Sequence, residues 1–89
     1  MAWTIEFAEA ASRQILKLDR PVARRIVRFL GERVSESPDP RAVGEALKGD
    51  ELGQFRKYRV GDYRVIAEIR DAEIRIVVIR LGHRSDVYR

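Results

Sequence analysis

The chain has 89 residues, of which 45% are hydrophobic and 36% are charged. That length has room for one domain spanning residues 1–89, and that composition excludes a disordered tail. The longest uncharged apolar run is four residues, Ile76 to Ile79, and Glu6 and Glu9 interrupt the apolar character of the N-terminus. We therefore expect neither a transmembrane helix nor a secretory signal.

The sequence contains no cysteine and one histidine, His83. This excludes disulfides, thiolate metal sites, a cysteine nucleophile and any mechanism that needs two histidines. We expect a cytoplasmic protein with no membrane contact, no metal and no small-molecule cofactor.

The positive charge is concentrated in the last part of the chain. Residues 1–54 contain nine basic and nine acidic residues, whereas residues 55–89 contain nine basic and five acidic residues, so the second segment carries the whole net charge of +4. In general, a one-sided basic surface favours an anionic partner, which can be nucleic acid, an acidic protein or an anionic membrane. Of these three, we do not expect the membrane. The alternative is that 15 arginines against 3 lysines reflect genome composition.

Hydrophobic spacing predicts a strand and two helices in the first half of the chain. Apolar and polar residues alternate over residues 2–7, which is typical of a half-buried strand. From residue 8 the spacing becomes helical, and it continues for about three turns. Asp19 is a candidate helix cap and the proline two residues later suits a first turn, so a second helix is expected over residues 21–35. A Ser-Pro-Asp-Pro stretch ends this helix.

Three hairpin-linked strands are predicted after a glycine-containing connector. The connector, residues 41–53, is expected to contain one short turn near Ala46-Leu47. Period-two alternation predicts strands over residues 55–60, 63–70 and 73–81, with hairpin turns at Gly61-Asp62 and Asp71-Ala72.

The predicted order β-α-α-β-β-β indicates an α+β fold. We expect two N-terminal helices packed on one face of a mainly antiparallel four-stranded sheet. The other face of the sheet must be solvated or occupied by a partner. Residues 82–89 are expected to form a loop or short extension. In the last strand, one face is expected to carry Ile74, Ile76 and Val78, and the other Val77, Ile79 and Leu81.

Several basic residues of the second half are expected to share one surface. Lys57 and Arg59 lie two apart, so they project from the same face of the first hairpin strand. Arg64 follows the tight turn on the next strand, and Arg84 follows the last strand, with Tyr88 near it in sequence. Fixed cations beside an aromatic ring suit one strand of RNA, because guanidinium groups bind phosphates and the ring stacks on a base.

Each of these residues also has an ordinary structural interpretation. Surface arginines are usually solvated, and a lone histidine is more often structural than catalytic. The arginines of the helices are expected to form a solvated face or a docking face for an acidic partner: Arg13, Arg24, Arg25 and Arg28. No carboxylate pair, Ser/His/Asp order, glycine-rich phosphate loop or metal-ligand cluster is visible in the sequence.

The stretch from Phe55 to Ile69, FRKYRVGDYRVIAEI, resembles the signature hairpin of the RelE/ParE superfamily of bacterial toxins. The preceding Leu47-Lys48-Gly49 resembles the connector of that superfamily. The ending from Val78 to Arg89, VIRLGHRSDVYR, resembles the RelE branch. The predicted element order matches across essentially the whole chain, so the resemblance implies the RelE-like microbial RNase fold.

Toxins of the RelE branch are ribosome-dependent mRNA endonucleases of type II toxin–antitoxin systems. The resemblance therefore implies that the protein cuts the codon exposed in the ribosomal A site, by metal-free attack of the RNA's own 2′-hydroxyl, and that a cognate RelB-like antitoxin neutralises it. It implies catalytic roles for Lys57, Arg64, Arg84 and Tyr88. It also implies RNA binding by Arg56, Arg59, Arg80, His83 and Arg89.

The proton transfers remain to be assigned among these residues. Arginine is excluded as the base because its pKa exceeds about 12, which leaves Lys57, His83 and Tyr88. We expect Lys57 to be the base, Arg64 to clamp the scissile phosphate, and Arg84 to stabilise or protonate the leaving oxygen. Tyr88 would stack on or orient the base of the RNA.

Two other functions are compatible with the same fold. A ParE-like toxin would inhibit DNA gyrase without cutting RNA, although such toxins usually lack an ending like that of Arg84 and Tyr88. A toxin fold that has lost its activity would serve as a binding module. In each case we expect an antitoxin that lays a helix over the open basic face or on the helix pair.

Overall fold

The computed structural model describes residues 2–50 and 53–87, and the predictions for Tyr88 and Arg89 lie outside these residues. Five strands form one sheet in the order β1-β5-β4-β3-β2, in which β1 runs parallel to β5 and all other neighbours are antiparallel. The strands are β1 (Thr4–Phe7), β2 (Glu45–Ala46), β3 (Phe55–Val60), β4 (Tyr63–Arg70) and β5 (Arg75–His83).

The helices cover one face of this sheet. They are α1 (Glu9–Leu16), α2 (Arg20–Phe29) and the single turn α3 (Pro40–Val43), and α2 continues as a π-helical segment over Leu30–Val34. Pro21 lies in the first turn of α2, where no amide donor is needed. Asp19 occupies the predicted cap position, but its side chain makes no capping hydrogen bond. No helix in the described part of the chain is long and apolar enough to cross a membrane.

The core lies between the helices and the sheet, which confirms the predicted α+β class. The helical layer contributes four fully buried side chains: Ala11, Ile26, Leu30 and Val34. The sheet contributes Tyr58, Val60, Val65, Ala67, Ile76, Val78 and Leu81. The predicted alternation of β3 and β4 is therefore correct, because Tyr58, Val60 and Val65 all point toward the helices.

The predicted count of four strands is wrong, because the connector contributes a fifth. The expected turn near residue 46 is instead the strand β2, in which Glu45 pairs with Lys57 and Ala46 with Arg56. A two-residue strand is too short to show a period, and neither Glu nor Ala favours extended structure. The pairing is imposed by tertiary contacts with β3.

The predicted faces of the last strand are also wrong at its C-terminal end. Ile66 pairs with Arg80, but the next residue, Ala67, pairs with Val78, so β5 bulges by one residue at Ile79. A bulge shifts the side-chain alternation by one position. Leu81 therefore packs in the same core cluster as Val78, not on the opposite face.

The start and end of β5 differ from the prediction as well. Ile74 lies outside the strand in a left-handed conformation with φ of 50°, after a 3₁₀ turn over Asp71–Glu73. At the other end, Gly82 and His83 extend the strand beyond residue 81. The predicted strand over residues 73–81 is thus displaced by two residues at both ends.

Arg41 connects α3 to the turn between β4 and β5. Its two terminal nitrogens donate to the Asp71 carboxylate at 2.8 and 2.9 Å, and its Nε donates to the Gly53 carbonyl at 2.7 Å. The hydrogen bond from Arg41 lowers the pKa of Asp71 and raises that of Arg41. This bidentate contact anchors the connector that carries β2.

Candidate nucleic-acid interface

The sheet face that the helices leave uncovered, called the open face below, carries two rows of basic side chains. Residues directly opposite each other in an antiparallel pair point to the same face. One row runs across four strands as Glu45, Lys57, Ile66 and Arg80, and the next runs as Arg59, Arg64 and Gly82. Because Tyr58 and Val65 between these positions point into the core, four predicted site residues come together on the open face: Lys57, Arg59, Arg64 and Arg80.

Glu45 places a carboxylate among these cations. Its Oε2 lies 3.6 Å from Lys57 Nζ, and its Oε1 lies 3.0 Å from Arg59 Nε. Glu45 was not predicted as a site residue, because the two-residue strand β2 is too short to show an alternation of polar and apolar residues. A glutamate in a connector looks like any other exposed acid until the strand pairing is known.

The position of Glu45 depends on the buried Tyr58. The hydroxyl of Tyr58 donates to the Pro40 carbonyl at 2.8 Å, which holds α3 against β3. Gly44 follows with no side chain, and a Cβ there would lie 2.8 Å from the Tyr58 ring. This close approach brings β2 into register with β3 and so sets Glu45 opposite Lys57. Burial raises the pKa of Tyr58 to about 12 and keeps the phenol protonated as a donor.

Arg64 and Arg84 both contact the tight turn between β3 and β4. The Nη1 of Arg64 donates to the carbonyls of Gly61 at 3.0 Å and Tyr63 at 2.9 Å. The amide of Arg84 donates to the Asp62 carbonyl at 2.8 Å, which fixes the segment after β5 beside this turn. Within the described residues, neither arginine has a carboxylate at ion-pair distance. Arg84 is exposed and lies next to the basic rows.

His83 ends β5 beside the same turn. It pairs with Tyr63, and the two rings meet edge to face with centroids 5.6 Å apart. The Ser85 amide donates to His83 Nδ1 at 3.2 Å, and the Ser85 hydroxyl lies 2.8 Å from the same nitrogen. An accepting Nδ1 leaves the proton of the neutral ring on Nε2.

Arg56 is not brought into this group. Strand alternation turns it away from Lys57 and Arg59 and toward the face that packs on the helices, opposite Ala67. Its Nε is buried without a hydrogen-bond partner among the described residues. Tyr88 and Arg89 lie outside the described residues.

The open face is suited to bind phosphate. Guanidinium and ammonium groups held on adjacent strands offer several donors to one phosphodiester and can stabilise charge that develops on it. Across residues 2–50 and 53–87, no group of three or more His, Asp or Glu side chains is arranged to hold a metal ion. The donors of the open face are cationic instead.

The comparison with known proteins identifies the family. Residues 5–88 match the model of the ParE toxin of type II toxin–antitoxin systems, so the chain belongs to this toxin family. The toxin RelG of Mycobacterium tuberculosis is 33% identical over 89 residues, which cover 100% of this chain and 99% of RelG.

Solved structures place the chain in the RelE-like branch of the superfamily. The toxin–antitoxin complex RelBE2 of Mycobacterium tuberculosis matches with a TM-score of 0.81 and 30% identity, over 97% of this chain and 95% of that chain. The toxin RelE of E. coli matches with a TM-score of 0.79 and 27% identity, over 99% and 90%. These matches confirm the resemblance found in the sequence.

Proposed function

We propose that this type II toxin is a ribosome-dependent endoribonuclease that acts in the cytoplasm and cuts mRNA at the codon in the ribosomal A site. The observation that carries the proposal is the arrangement of Lys57, Arg59, Arg64 and Arg80 on three adjacent strands, with Arg84 beside them. A single-stranded backbone laid across these strands would meet a cation on each.

The proposed reaction is transesterification by the RNA itself, with no metal taking part. The 2′-oxygen attacks the adjacent phosphorus, the bond from phosphorus to the 5′-oxygen breaks, and the products are a 2′,3′-cyclic phosphate and a 5′-hydroxyl. Lys57 takes the proton of the attacking hydroxyl, and Arg64 holds the scissile phosphate. Arg84 stabilises or protonates the leaving oxygen, and Tyr88 stacks on the base.

The experiment is cleavage mapping on purified ribosomes stalled with a defined codon in the A site. We expect the wild-type protein to cut within that codon and to leave free mRNA intact. Removing one stabilising cation typically lowers the rate about 10²- to 10³-fold, so Arg64→Ala and Arg84→Ala should lose the cut. Arg13→Ala is the matched control, because Arg13 pairs with Glu9 on the exposed side of α1. Absence of a cut by wild-type protein that still arrests growth would overturn the proposal.

The second candidate function is inhibition of DNA gyrase without RNA cleavage. The name of the matching family model, the ParE toxin, favours it. A supercoiling assay with purified gyrase separates the two functions. Inhibition by wild-type protein, retained in Arg64→Ala and Arg84→Ala, would support the gyrase function.

The proposal includes a RelB-like antitoxin as the cognate partner. Similar solved structures include the RelBE2 complex and the intact RelBE complex of E. coli. A groove between α1 and α2 exposes Leu16 by 84% and Val27 by 52%, with Arg24 and Arg28 at its edge. An amphipathic helix with acidic flanks fits such a groove, which favours docking on the helix pair. We expect a tight, salt-sensitive complex with the protein encoded beside this gene.

A further inference from the structure

We propose that a second cleft, on the helix side of the β3–β4 turn, binds a phosphate of the RNA strand beyond the codon that is cut. This inference deepens the proposed nuclease function and rests on it. The cleft has a volume of about 390 Å³. It lies between α2 and the hairpin turn, and we call it the arginine cleft. Four arginines line it: Arg25, Arg28, Arg33 and Arg59.

The charge of the arginine cleft is poorly balanced by the protein itself. Glu32 is the one acidic side chain among its lining residues. In the described part of the chain, neither Arg25 nor Arg28 forms an ion pair or a side-chain hydrogen bond. Arg33 lies 6.0 Å from the centre of the Phe29 ring. Exposed arginines held close together without carboxylate partners favour an external anion.

The arginine cleft continues into the open face around the hairpin turn. The guanidinium of Arg25 lies against Gly61, since a Cβ on that glycine would be 2.8 Å from Arg25 Nη1. The carbonyl of the same glycine accepts a hydrogen bond from Arg64. The turn therefore has Arg25 on its helix side and Arg64 on its open side. Arg59 belongs to both regions, because it lines the cleft and pairs with Glu45 on the open face.

The shape and chemistry of the cleft favour RNA over an acidic protein. The apolar side chains that line it are Phe29 and Val60, and Val60 is already buried in the core. A protein partner usually needs a pocket for an aromatic or aliphatic anchor, which this cleft does not offer. A nucleic-acid backbone repeats its charge, so one strand can contact the cleft and the open face at the same time.

The test compares RNA binding by wild type and by Arg25→Gln/Arg28→Gln. The probes are two fluorescent single-stranded RNAs that carry a 2′-deoxy sugar at each position to be cut, so that binding is measured without cleavage. One is a trinucleotide, chosen to occupy the open face alone, and the other is an oligomer of about twelve nucleotides, chosen to reach the cleft as well. The matched control is Lys17→Gln/Arg20→Gln, which removes the same charge from exposed positions at the junction of α1 and α2, outside the cleft.

We expect the cleft variant to bind the longer RNA about ten-fold more weakly and the trinucleotide as well as wild type does. The slope of log affinity against log salt for the longer RNA should fall by about 0.7, which is the value for one phosphate contact on a single strand. On programmed ribosomes, the same variant should raise KM and leave kcat unchanged. The control variant should match wild type in each of these measurements.

The proposal would be overturned if the cleft variant and the control weakened binding of the longer RNA equally, because the loss of net charge alone would then explain the effect. No weakening in either variant, or no binding of the longer RNA by wild type, would overturn it as well. Loss of antitoxin binding in Arg25→Gln alone, which leaves the groove between α1 and α2 intact, together with unchanged RNA binding would assign the cleft to an acidic protein. If the proposed nuclease function is wrong, the wild-type protein will not cut mRNA on programmed ribosomes. That result is independent of the RNA-binding measurements.

Discussion

Glu45 faces Lys57 across the β2–β3 pair, with its carboxylate 3.6 Å from the lysine Nζ. The same carboxylate lies 3.0 Å from Arg59 Nε. These two cations of β3 are therefore already paired with an anion from within the chain. A phosphate that binds at Lys57 and Arg59 must compete with this carboxylate.

Glu45→Gln should increase the affinity for RNA. The variant removes the competing charge and keeps the size of the side chain. Because each exposed ion pair is worth about 0.2–1 kcal/mol, we expect binding of the non-cleavable trinucleotide to tighten about two- to five-fold. Glu9→Gln is the control, since Glu9 pairs with Arg13 on α1. Weaker binding in Glu45→Gln would show that the carboxylate supports the site rather than competing for it.

Lys57→Arg should separate binding from catalysis. Arginine keeps the positive charge, but its pKa above about 12 leaves almost no unprotonated form to accept a proton near neutral pH. If Lys57 is the base, cleavage on programmed ribosomes should fall about 10²- to 10⁴-fold while trinucleotide binding is retained. Lys48→Arg, at an exposed position of the connector, is the matched control. A variant that still cuts at the wild-type rate would remove Lys57 from the role of base.

Gly44→Ala should destabilise the protein. The added Cβ would lie 2.8 Å from the Tyr58 ring and 3.1 Å from the Lys57 carbonyl, and the carbonyl belongs to the sheet. Overpacking of this kind costs about 1–3 kcal/mol in the free energy of unfolding, measured by urea denaturation. Gly31→Ala is the contrasting variant. It lies in the helical segment with nothing within 4 Å of its new Cβ, so it should stabilise by about 0.5–1 kcal/mol.

Tyr58→Phe should remove one hydrogen bond and also make the free energy of unfolding less dependent on pH above pH 10. Loss of the bond to the Pro40 carbonyl should cost about 0.5–1.5 kcal/mol in the free energy of unfolding at neutral pH. The folded state raises the pKa of Tyr58 from 10.0 to about 12, so it binds the phenolic proton more tightly than the unfolded chain does. The stability contributed by this proton is complete below pH 10 and is lost as the pH rises through about 12.

Urea denaturation over a pH series tests both effects. The loss of stability across that alkaline range should be shallower in Tyr58→Phe than in wild type. Tyr63→Phe is the control, because the Tyr63 hydroxyl has no hydrogen-bond partner among the described residues. An unchanged pH profile in Tyr58→Phe would show that other groups govern alkaline unfolding.

The elements that the sequence predicted correctly are those whose pattern repeats within a few residues. The alternation of β3 and β4 is regular, so it placed Lys57, Arg59 and Arg64 on one face. The bulge at Ile79 could not be predicted, because the extra residue follows from pairing with β4 and not from any change in composition. The same holds for Glu45, whose contact with Lys57 depends on the packing of Gly44 on Tyr58.

The strand order has a consequence for how the protein is made. β5 is the last of the five described strands, yet it lies between β1 and β4, and it carries Arg80. A nascent chain emerges N-terminus first, so β1 cannot pair with β5 until the elements between them have been synthesised. The parallel pairing of residues 4–7 with 75–78 is also non-local and therefore slow to form. The basic rows are incomplete until β5 has emerged and paired, so the open face forms only after the other four described strands have been synthesised.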